Sequence, residues 1–301
     1  MSTITPHLWF DTTAREAAEF YATVFPDSSV TAVTTLRDTP SGDCDLVAFR
    51  VWGQDFMAIS AGPLFRINPT ISFMVNFDPS RDDRAAEMLD RVWEQLVDGG
   101  SVLMPLDAYP FSKRYGWVQD RYGVSWQLIL TDPAGDARPT IVPSLMFVAD
   151  VSGKAEEATD FYLGVFADAE RGQLVHYPEG MAPHVPGTVM FCDIRLGDSW
   201  LAAMDGGQQH DFAFSEAVSL MVTCADQAEI DHYWNALSAV PEAEQCGWLK
   251  DRYGLSWQIT SADLQRMLTD GSPEQIARVT EAFLPMKKFD VAQLRAAYAG
   301  T

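Results

Sequence analysis

The sequence predicts an α+β fold that is built from repeated βαβββ modules. The first observation is an internal repeat: residues 120–128 read Asp-Arg-Tyr-Gly-Val-Ser-Trp-Gln-Leu, and residues 251–259 read Asp-Arg-Tyr-Gly-Leu-Ser-Trp-Gln-Ile. The second is the alternation of short β-rich runs with amphipathic helical segments. The third is size, because 301 residues with 47% hydrophobic content can bury two ordinary cores. Two domains are therefore expected.

The first module, module A, shows the predicted order of elements most clearly. A strand is expected at 4–10, followed by a helix with Thr13 as its cap and Glu16 three residues further on. Three strands are expected near 30–36, 46–52 and 56–59, with a turn at 53–55. Module A is thus a βαβββ unit.

The same order returns three times. Module B has a strand at 70–77 and a helix near 81–97, and its last two strands form the hairpin of the repeat. Module C restarts at 141–148, and module D opens at 220–224. The modules pair as AB and CD. This predicts domain 1 at 1–132, a linker at 133–140, domain 2 at 141–262 and a helical C-terminal extension at 263–301, with Ser272 and Asp290 as helix caps.

Composition excludes several classes of partner. The net charge of −21 repels phosphate backbones and anionic membrane surfaces, so neither a nucleic acid nor a membrane is expected as a partner. No leader segment and no apolar run of about 18 residues is found, which predicts a cytoplasmic protein. The four cysteines form no C-x-x-C pair, so neither a zinc site nor a disulfide scaffold is indicated; they are Cys44, Cys192, Cys224 and Cys246.

Paired βαβββ units that end in Asp-x-x-Gly-x-x-x-Gln hairpins resemble the vicinal oxygen chelate superfamily, which includes glyoxalase I, extradiol dioxygenases and bleomycin-resistance proteins. Within it, Pro-His-Leu-Trp-Phe at 6–10, Phe-Tyr at 20–21, the Gly-Trp-x-x-Asp-Arg-Tyr-Gly-x-Ser-Trp-Gln block and Met-Lys-Lys at 286–288 resemble the PhnB-like family. Its domain is also labelled 3-demethylubiquinone-9 3-methyltransferase-like. The resemblance covers nearly the whole chain and implies two glyoxalase/bleomycin-resistance-like domains with curved mixed sheets.

The resemblance also implies where a metal would bind, namely on the first and last strands of each module. The corresponding positions are His7 and Met57 in A, Ser72 and Gln127 in B, Ser144 and Leu201 in C, and Ser219 and Gln258 in D. The four last-strand residues are expected to be equivalent, because each follows a glycine by four positions. Only His7 is a good ligand, whereas a divalent catalytic site needs about three. No metal is predicted. No cofactor is predicted either, because the sequence has no glycine-rich nucleotide loop.

The glutamines are the more informative polar residues. Strand alternation places Ser125 with Gln127 on one face, while Trp126 points to the other and is expected to pack under the helices. On the face that the family makes concave, an amide offers both a donor and an acceptor to a ligand. The alternatives are that the glutamines only satisfy the sheet and that His7 is a packing residue.

Module B also contains ten residues that module D lacks, since 24 positions separate Trp93 from Trp117 but 14 separate Trp234 from Trp248. The extra residues fall at 104–115 and predict an aromatic and cationic loop that suits an anionic or aromatic ligand. Alternatively, the loop is an arm that packs on the partner domain.

The predicted function is metal-free binding of a small, partly apolar molecule in domain 1. The residues expected to contact this ligand are His7, Trp9, Met57, Ser72, Tyr109, Phe111, Arg114, Gln127 and Gln258. The alternative is metal-dependent lyase, isomerase or dioxygenase chemistry at His7. A third interpretation makes domain 2 a scaffold that lost its site. Duplication would let one chain supply the pairing that single-domain relatives obtain by dimerising, and a homodimer is left open as a partner.

Overall fold

The computed structural model describes residues 3–207 and 210–301. The strands in this part of the chain are β1 (Thr3–Phe10), β2 (Ser29–Thr39), β3 (Gly42–Val51), β4 (Gln54–Ser60), β5 (Ile71–Phe77), β6 (Ser101–Tyr109), β7 (Ser112–Gln119), β8 (Ser125–Leu130), β9 (Ile141–Phe147), β10 (Ala169–His176), β11 (Val189–Leu196), β12 (Ser199–Asp205), β13 (Val218–Cys224), β14 (Trp248–Lys250) and β15 (Ser256–Ser261). The α-helices are α1 (Ala14–Val24), α2 (Ala85–Val97), α3 (Ala155–Val165), α4 (Gln227–Leu237), α5 (Ala262–Asp270), α6 (Pro273–Phe283) and α7 (Val291–Ala299). None of these helices is long and apolar enough to cross a membrane.

The strands form two curved mixed sheets, which confirms the predicted α+β class. Sheet 1 has the order β14-β15-β13-β1-β4-β3-β2, and sheet 2 has the order β10-β11-β12-β9-β5-β8-β7-β6. Sheet 1 therefore combines module A with module D, and sheet 2 combines module B with module C. At the two centres, β1 pairs antiparallel with β13 and β5 pairs antiparallel with β9. Each half of the sequence thus contributes one module to each sheet.

Module D differs from the other three modules. After α4 it forms a short 3₁₀ turn at Pro241–Ala243 and then only two strands, β14 and β15. In module B the ten additional residues extend the β6–β7 hairpin and form no irregular loop. Sheet 1 consequently has seven strands and sheet 2 has eight.

One face of each sheet packs on α1–α4, and these faces share a hydrophobic core. Phe56 of sheet 1 and Phe73 of sheet 2 meet with their ring centroids 4.9 Å apart. Trp126 and Trp257 are fully buried in this core, as strand alternation predicted. The core therefore joins the two sheets into one body.

The repeated Asp-Arg-Tyr-Gly segment stabilises the fold through hydrogen bonds to its buried aspartate. The carboxylate of Asp120 accepts hydrogen bonds from the Tyr21 hydroxyl at 2.8 Å and the Trp126 indole at 2.8 Å. It also accepts from the backbone amides of Tyr122 at 2.9 Å and Val124 at 3.0 Å. Because Tyr21 belongs to α1 of module A, these hydrogen bonds connect the helix that packs on sheet 1 to the β7–β8 hairpin of sheet 2.

The second copy of the segment repeats this arrangement. Asp251 accepts from the Tyr162 hydroxyl at 2.7 Å, from the Trp257 indole at 2.9 Å and from two backbone amides. Burial raises the pKa of Asp120 and of Asp251 above the ordinary value, while the donated hydrogen bonds oppose that rise. The two halves therefore share the same internal bracing.

The C-terminal extension is helical, as predicted. Ser261 caps α5, Ser272 forms a capping box with Gln275 at the start of α6, and Asp290 caps α7. Pro273 occupies the first turn of α6, where its missing amide proton costs no hydrogen bond. These helices form a second hydrophobic cluster with side chains of β2 and β3.

Candidate functional site

Each sheet has a helix face, which packs on α1–α4, and an opposite face that we call the site face because the candidate residues lie on it. Side chains alternate between the two faces along every strand. The site face of sheet 1 carries His7, Trp9, Met57, Ile59, Ser219, Met221, Trp248, Ser256 and Gln258. The site face of sheet 2 carries Ser72, Met74, Tyr115, Trp117, Ser125, Gln127, Ser144, Met146, Ala202 and Met204.

The structure does not bring the predicted ligand residues together in one place. His7, Trp9, Met57 and Gln258 lie on sheet 1, whereas the residues of module B, including Gln127, lie on sheet 2. The expectation of one pocket that combines His7 with Gln127 therefore does not match the structure. The physical reason for this difference is that modules from different halves of the sequence share a sheet. The order of repeats along the chain does not reveal this pairing. The contact of each residue with a ligand stays a prediction.

The four last-strand positions are also not equivalent. Gln127 pairs with Met74 and Gln258 with Met221, two positions beyond the central serines, but Met57 pairs directly with His7. Two-residue hairpin turns precede β4 and β12, whereas five-residue loops precede β8 and β15. Counting four residues from the glycine therefore stops short of the glutamine position, by two residues in β4 and by three in β12. Ile59 and Met204 occupy the places of the glutamines.

Leu201 departs from its expected position as well. Ser144 pairs with Ala202, so Leu201 points to the helix face, where it is buried in the core. Ala202 takes the position on the site face that was assigned to Leu201. Leu201 and Ala202 differ by one position, and adjacent strand residues point to opposite faces.

A buried polar network lies at the centre of the site face of sheet 2. The amide of Gln127 donates to the Ser72 hydroxyl at 2.7 Å, and its oxygen accepts from the Tyr115 hydroxyl at 2.6 Å. The Ser144 hydroxyl lies across from Ser72 in the next strand and is buried, yet it has no hydrogen-bond partner in the described residues. One unpaired polar group thus remains at the centre of this site face; we call the central part of each site face its floor.

Aromatic rings line one side of this floor. Tyr109 and Phe111 stack with centroids 5.7 Å apart, and both contact Tyr115. Burial, followed by the nearby Tyr109 and Tyr177 hydroxyls, raises the pKa of Tyr115. Tyr177 comes from module C and stacks on His184 at 3.8 Å. The rings that contact Tyr115 therefore come from module B.

The extended β6–β7 hairpin, which we call the arm of module B, carries one candidate residue that does not point to the site face. Arg114 lies between Ser112 and Tyr115 on β7, and alternation directs it to the helix face. There its guanidinium forms an ion pair with Asp90 of α2 at 2.5 Å. Phe111, at the tip of the arm, is 60% exposed.

The linker supplies a further cation at the edge of this site face. Arg138 pairs with the largely buried Asp193 at 2.6 Å and lies over the ring of Trp200 at 4.1 Å. The alternation pattern of β11 and β12 places Asp193 and Trp200 on the site face. Arg138 therefore anchors the linker beside the floor.

The floor of sheet 1 contains an imidazole as well as hydroxyl and amide groups. The amide of Gln258 donates to the Ser219 hydroxyl at 2.9 Å, while Nδ1 of His7 and Oγ of Ser256 are buried without a partner among the described residues. Burial lowers the pKa of His7 to about 3, so the imidazole is neutral at ordinary pH. Trp248 contacts His7 edge-on at 5.4 Å.

The C-terminal extension lies over this floor. Leu36 and Cys44, on the site face of β2 and β3, are buried against the helices α5–α7. Trp9 packs against the same cluster and contacts Trp248 at 6.2 Å. No comparable helices lie on the site face of sheet 2 in the described residues.

The donor set around His7 does not suit a catalytic metal. The neighbouring side chains on the floor are a thioether, hydroxyls and an amide, from Met57, Ser219 and Gln258. Divalent metals are generally held by about three imidazole, carboxylate or thiolate ligands. In residues 3–207 and 210–301, no group of three such ligands converges.

Sequence reasoning missed Tyr115, Ser144 as an unpaired hydroxyl, and Arg138. The signal for Tyr115 was available, because it lies two residues before Trp117 on the strand that was expected to pair with Gln127. Ser144 was considered only as a metal ligand. No signal pointed to Arg138, whose partner Asp193 is 55 positions away.

Two sheets of tandem βαβββ-type modules, each with a site face at the junction of two modules, give the chain the fold that is typical of the vicinal oxygen chelate superfamily. A family model described as 3-demethylubiquinone-9 3-methyltransferase matches residues 2–129 and again 139–260. The chain belongs to this family, which includes the PhnB-like proteins.

The chain is also similar to solved structures. A PhnB protein from Bacillus cereus is 34% identical, and the match covers 42% of this chain and 98% of that chain, with a TM-score of 0.38. Glyoxalase I from Zea mays is 12% identical over 89% of this chain and 96% of that chain, with a TM-score of 0.55, and this likeness concerns the fold alone. No curated protein matched the sequence.

Proposed function

We propose that the site face of sheet 2 binds a small, partly apolar molecule without a metal ion. The observation that carries this proposal is the buried Ser144 hydroxyl, which has no partner in the described residues. Leaving such a group unpaired costs about 1–3 kcal/mol, so native proteins usually satisfy it with a water molecule or a ligand. Ser144 lies beside the Ser72–Gln127 pair, where a ligand could share the network.

The surrounding side chains favour an apolar body on such a ligand. Met74, Met146 and Met204 flank the small residues Ser144 and Ala202 on the site face. Methionine is flexible and polarisable, so it adapts to ligands of irregular shape. The side chains at the centre are small, and the aromatic arm adds a further apolar surface at the edge.

This location differs from the pocket that was expected in domain 1, because it joins module B to module C. The residues that the proposal keeps from the sequence prediction are Ser72, Gln127, Tyr109 and Phe111. Arg114 is left out, because it pairs with Asp90 on the other face.

A fluorescence titration with N-phenyl-1-naphthylamine, a neutral apolar probe with one hydrogen-bond donor, tests the proposal. Gln127→Leu should weaken binding by about five- to a hundredfold, since removing an amide that bonds a buried polar group costs about 1–3 kcal/mol. Gln258→Leu is the matched control on sheet 1 and should change the affinity little. Equal losses in both variants, or a loss only in Gln258→Leu, would place the site elsewhere.

Metal-free binding has its own test. A single imidazole with an amide and a thioether cannot hold a divalent ion against buffer competition, so purified protein should contain less than about one tenth of an equivalent of transition metal. Elemental analysis measures this directly. Near one equivalent of nickel, zinc, iron or manganese that disappears in His7→Ala would favour metal-dependent chemistry at His7 instead.

A further inference from the structure

The site face of sheet 1 is covered by a segment of the same chain. Hydrophobic residues of α5, α6 and the following segment form a cluster with Leu36 and Cys44, and Val279 of α6 is a fully buried member of this cluster. This cluster is separate from the main core, which takes up Val291 from the start of α7. A unit with its own small core can open without unfolding the rest of the molecule.

Polar contacts hold the extension at two edges of the sheet. The Thr34 hydroxyl of β2 donates to the carbonyl of Leu268 at 3.1 Å. At the opposite edge, the backbone amides of Cys246 and Gly247 donate to the carbonyls of Met286 and Lys287, both at 2.7 Å. The extension thus spans the site face from β2 to β14, where module D lacks a third strand.

The floor beneath the extension keeps two unpaired polar atoms. On sheet 2 the Trp117 indole donates to Ser125 at 2.7 Å. On sheet 1 the equivalent Trp248 instead contacts His7 with its edge, and Oγ of Ser256 is buried without a partner in the described residues. Nδ1 of His7 is unpaired on the same face, and Ser219 separates it from Ser256.

We propose that the C-terminal extension is a lid over a second binding site, in which His7 and Ser256 hydrogen-bond a small neutral molecule such as an amide or an alcohol. A neutral molecule fits because the floor side chains His7, Ser219, Ser256 and Gln258 offer hydrogen bonds and no countercharge. The inference is independent of the site on sheet 2, since the two floors belong to different sheets.

Native-state hydrogen exchange on the unmodified full chain tests the lid. At low denaturant concentration, amides of α5–α7 should exchange through a local opening while those of α1–α4 remain protected. If both groups exchange at the same rate with the same denaturant dependence, the extension is part of the global fold and the lid is refuted. This measurement needs no variant.

A pair of substitutions in α6 tests whether the lid covers His7. Val279→Glu places a carboxylate in the buried cluster, whereas Ala277→Glu places it on the exposed side of the same helix. Diethyl pyrocarbonate should modify His7 about tenfold faster or more in Val279→Glu, because burying an unpaired carboxylate favours the open lid. Ala277→Glu should react like the unmodified protein, and unchanged labelling in Val279→Glu overturns the proposal.

The site itself is tested with acetamide on the full-length Val279→Glu protein. Acetamide should shift the Nδ1 resonance of His7 in the nitrogen spectrum, and adding Ser256→Ala should weaken that effect about fivefold or more, because one hydrogen bond is lost. If the resonance does not shift although His7 is accessible, the proposed binding site at His7 and Ser256 is refuted.

Discussion

The two site faces descend from the same modules but differ in what covers them and in what they hold. The floor of sheet 1 contains the imidazole of His7 and lies under three C-terminal helices. The floor of sheet 2 has Ser144 in the equivalent place, a Tyr115–Gln127 bond without a counterpart among the described residues of sheet 1, and an aromatic arm at its edge. Duplication has kept the scaffold while the two floors acquired different chemistry.

The parts that did not diverge are those that hold the fold together. Asp120 and Asp251 each accept four corresponding hydrogen bonds, from a tyrosine, a tryptophan and two backbone amides. The recurrence of the Asp-Arg-Tyr-Gly segment is therefore explained by stability. The site, in contrast, depends on side chains that the repeat does not preserve.

The largest expected effect concerns this shared bracing. Asp120→Ala leaves four buried donors without an acceptor and should lower the free energy of unfolding by about 3–5 kcal/mol. Asp251→Ala should cause a similar loss, because its contacts are the same. Denaturant unfolding of the two variants measures both values. A large difference between them would show that the two halves are braced unequally.

The next effect is specific to sheet 1, the only one of the two floors with a histidine at its centre. Folded His7 has a pKa of about 3, whereas the unfolded residue titrates near 6.5. As the pH falls below about 6.5, the unfolded state binds a proton that the folded state does not, so stability is full above this pH and is lost towards pH 3. Between pH 7 and pH 5 the loss should be about 2 kcal/mol.

Unfolding experiments on His7→Asn at both pH values isolate this contribution, since the variant should lose about 2 kcal/mol less than the unmodified protein. Ser144→Asn makes the same new residue at the equivalent position of sheet 2 and should leave the pH dependence unchanged. If His7→Asn keeps the full pH dependence, His7 is not the group responsible.

A smaller effect is expected from the bond between Tyr115 and Gln127 on sheet 2. Tyr115→Phe removes the bond to the oxygen of Gln127 and should destabilise the protein by about 1–2 kcal/mol. Tyr177→Phe is the control, because the Tyr177 hydroxyl forms no hydrogen bond in residues 3–207 and 210–301. Thermal unfolding of both variants compares the two hydroxyls, and equal effects would argue against a special role of the Tyr115–Gln127 bond.

The smallest effect is expected at Arg114. Its ion pair with Asp90 is partly exposed, so Arg114→Ala should cost less than about 1 kcal/mol of stability. Binding of N-phenyl-1-naphthylamine should be unchanged, because Arg114 points to the helix face. A clear loss of binding would restore the ligand role that the sequence predicted for this residue.

The sequence by itself determined the modules, the α+β class, the family and the helical extension with its caps at Ser272 and Asp290. These features depend on local periodicity, turn residues and repeats, which lie close together along the chain. Strand alternation correctly predicted the sheet faces of Trp126 and Gln127, because it does not depend on which strands pair. The predicted face was wrong for Leu201, because its position was counted from Gly197, which is the first residue of its two-residue turn, whereas Gly53 is the second residue of the turn before β4.

Only the tertiary structure decided which modules share a sheet. Module A pairs with D and B with C, and this choice separates His7 from Gln127, joins Gln127 to Ser144 and brings the C-terminal helices over His7. Strand pairing between modules is fixed by backbone hydrogen bonds at sheet edges, which are the same for every residue type. The sequence repeat therefore identifies the modules, but their packing decides which side chains meet.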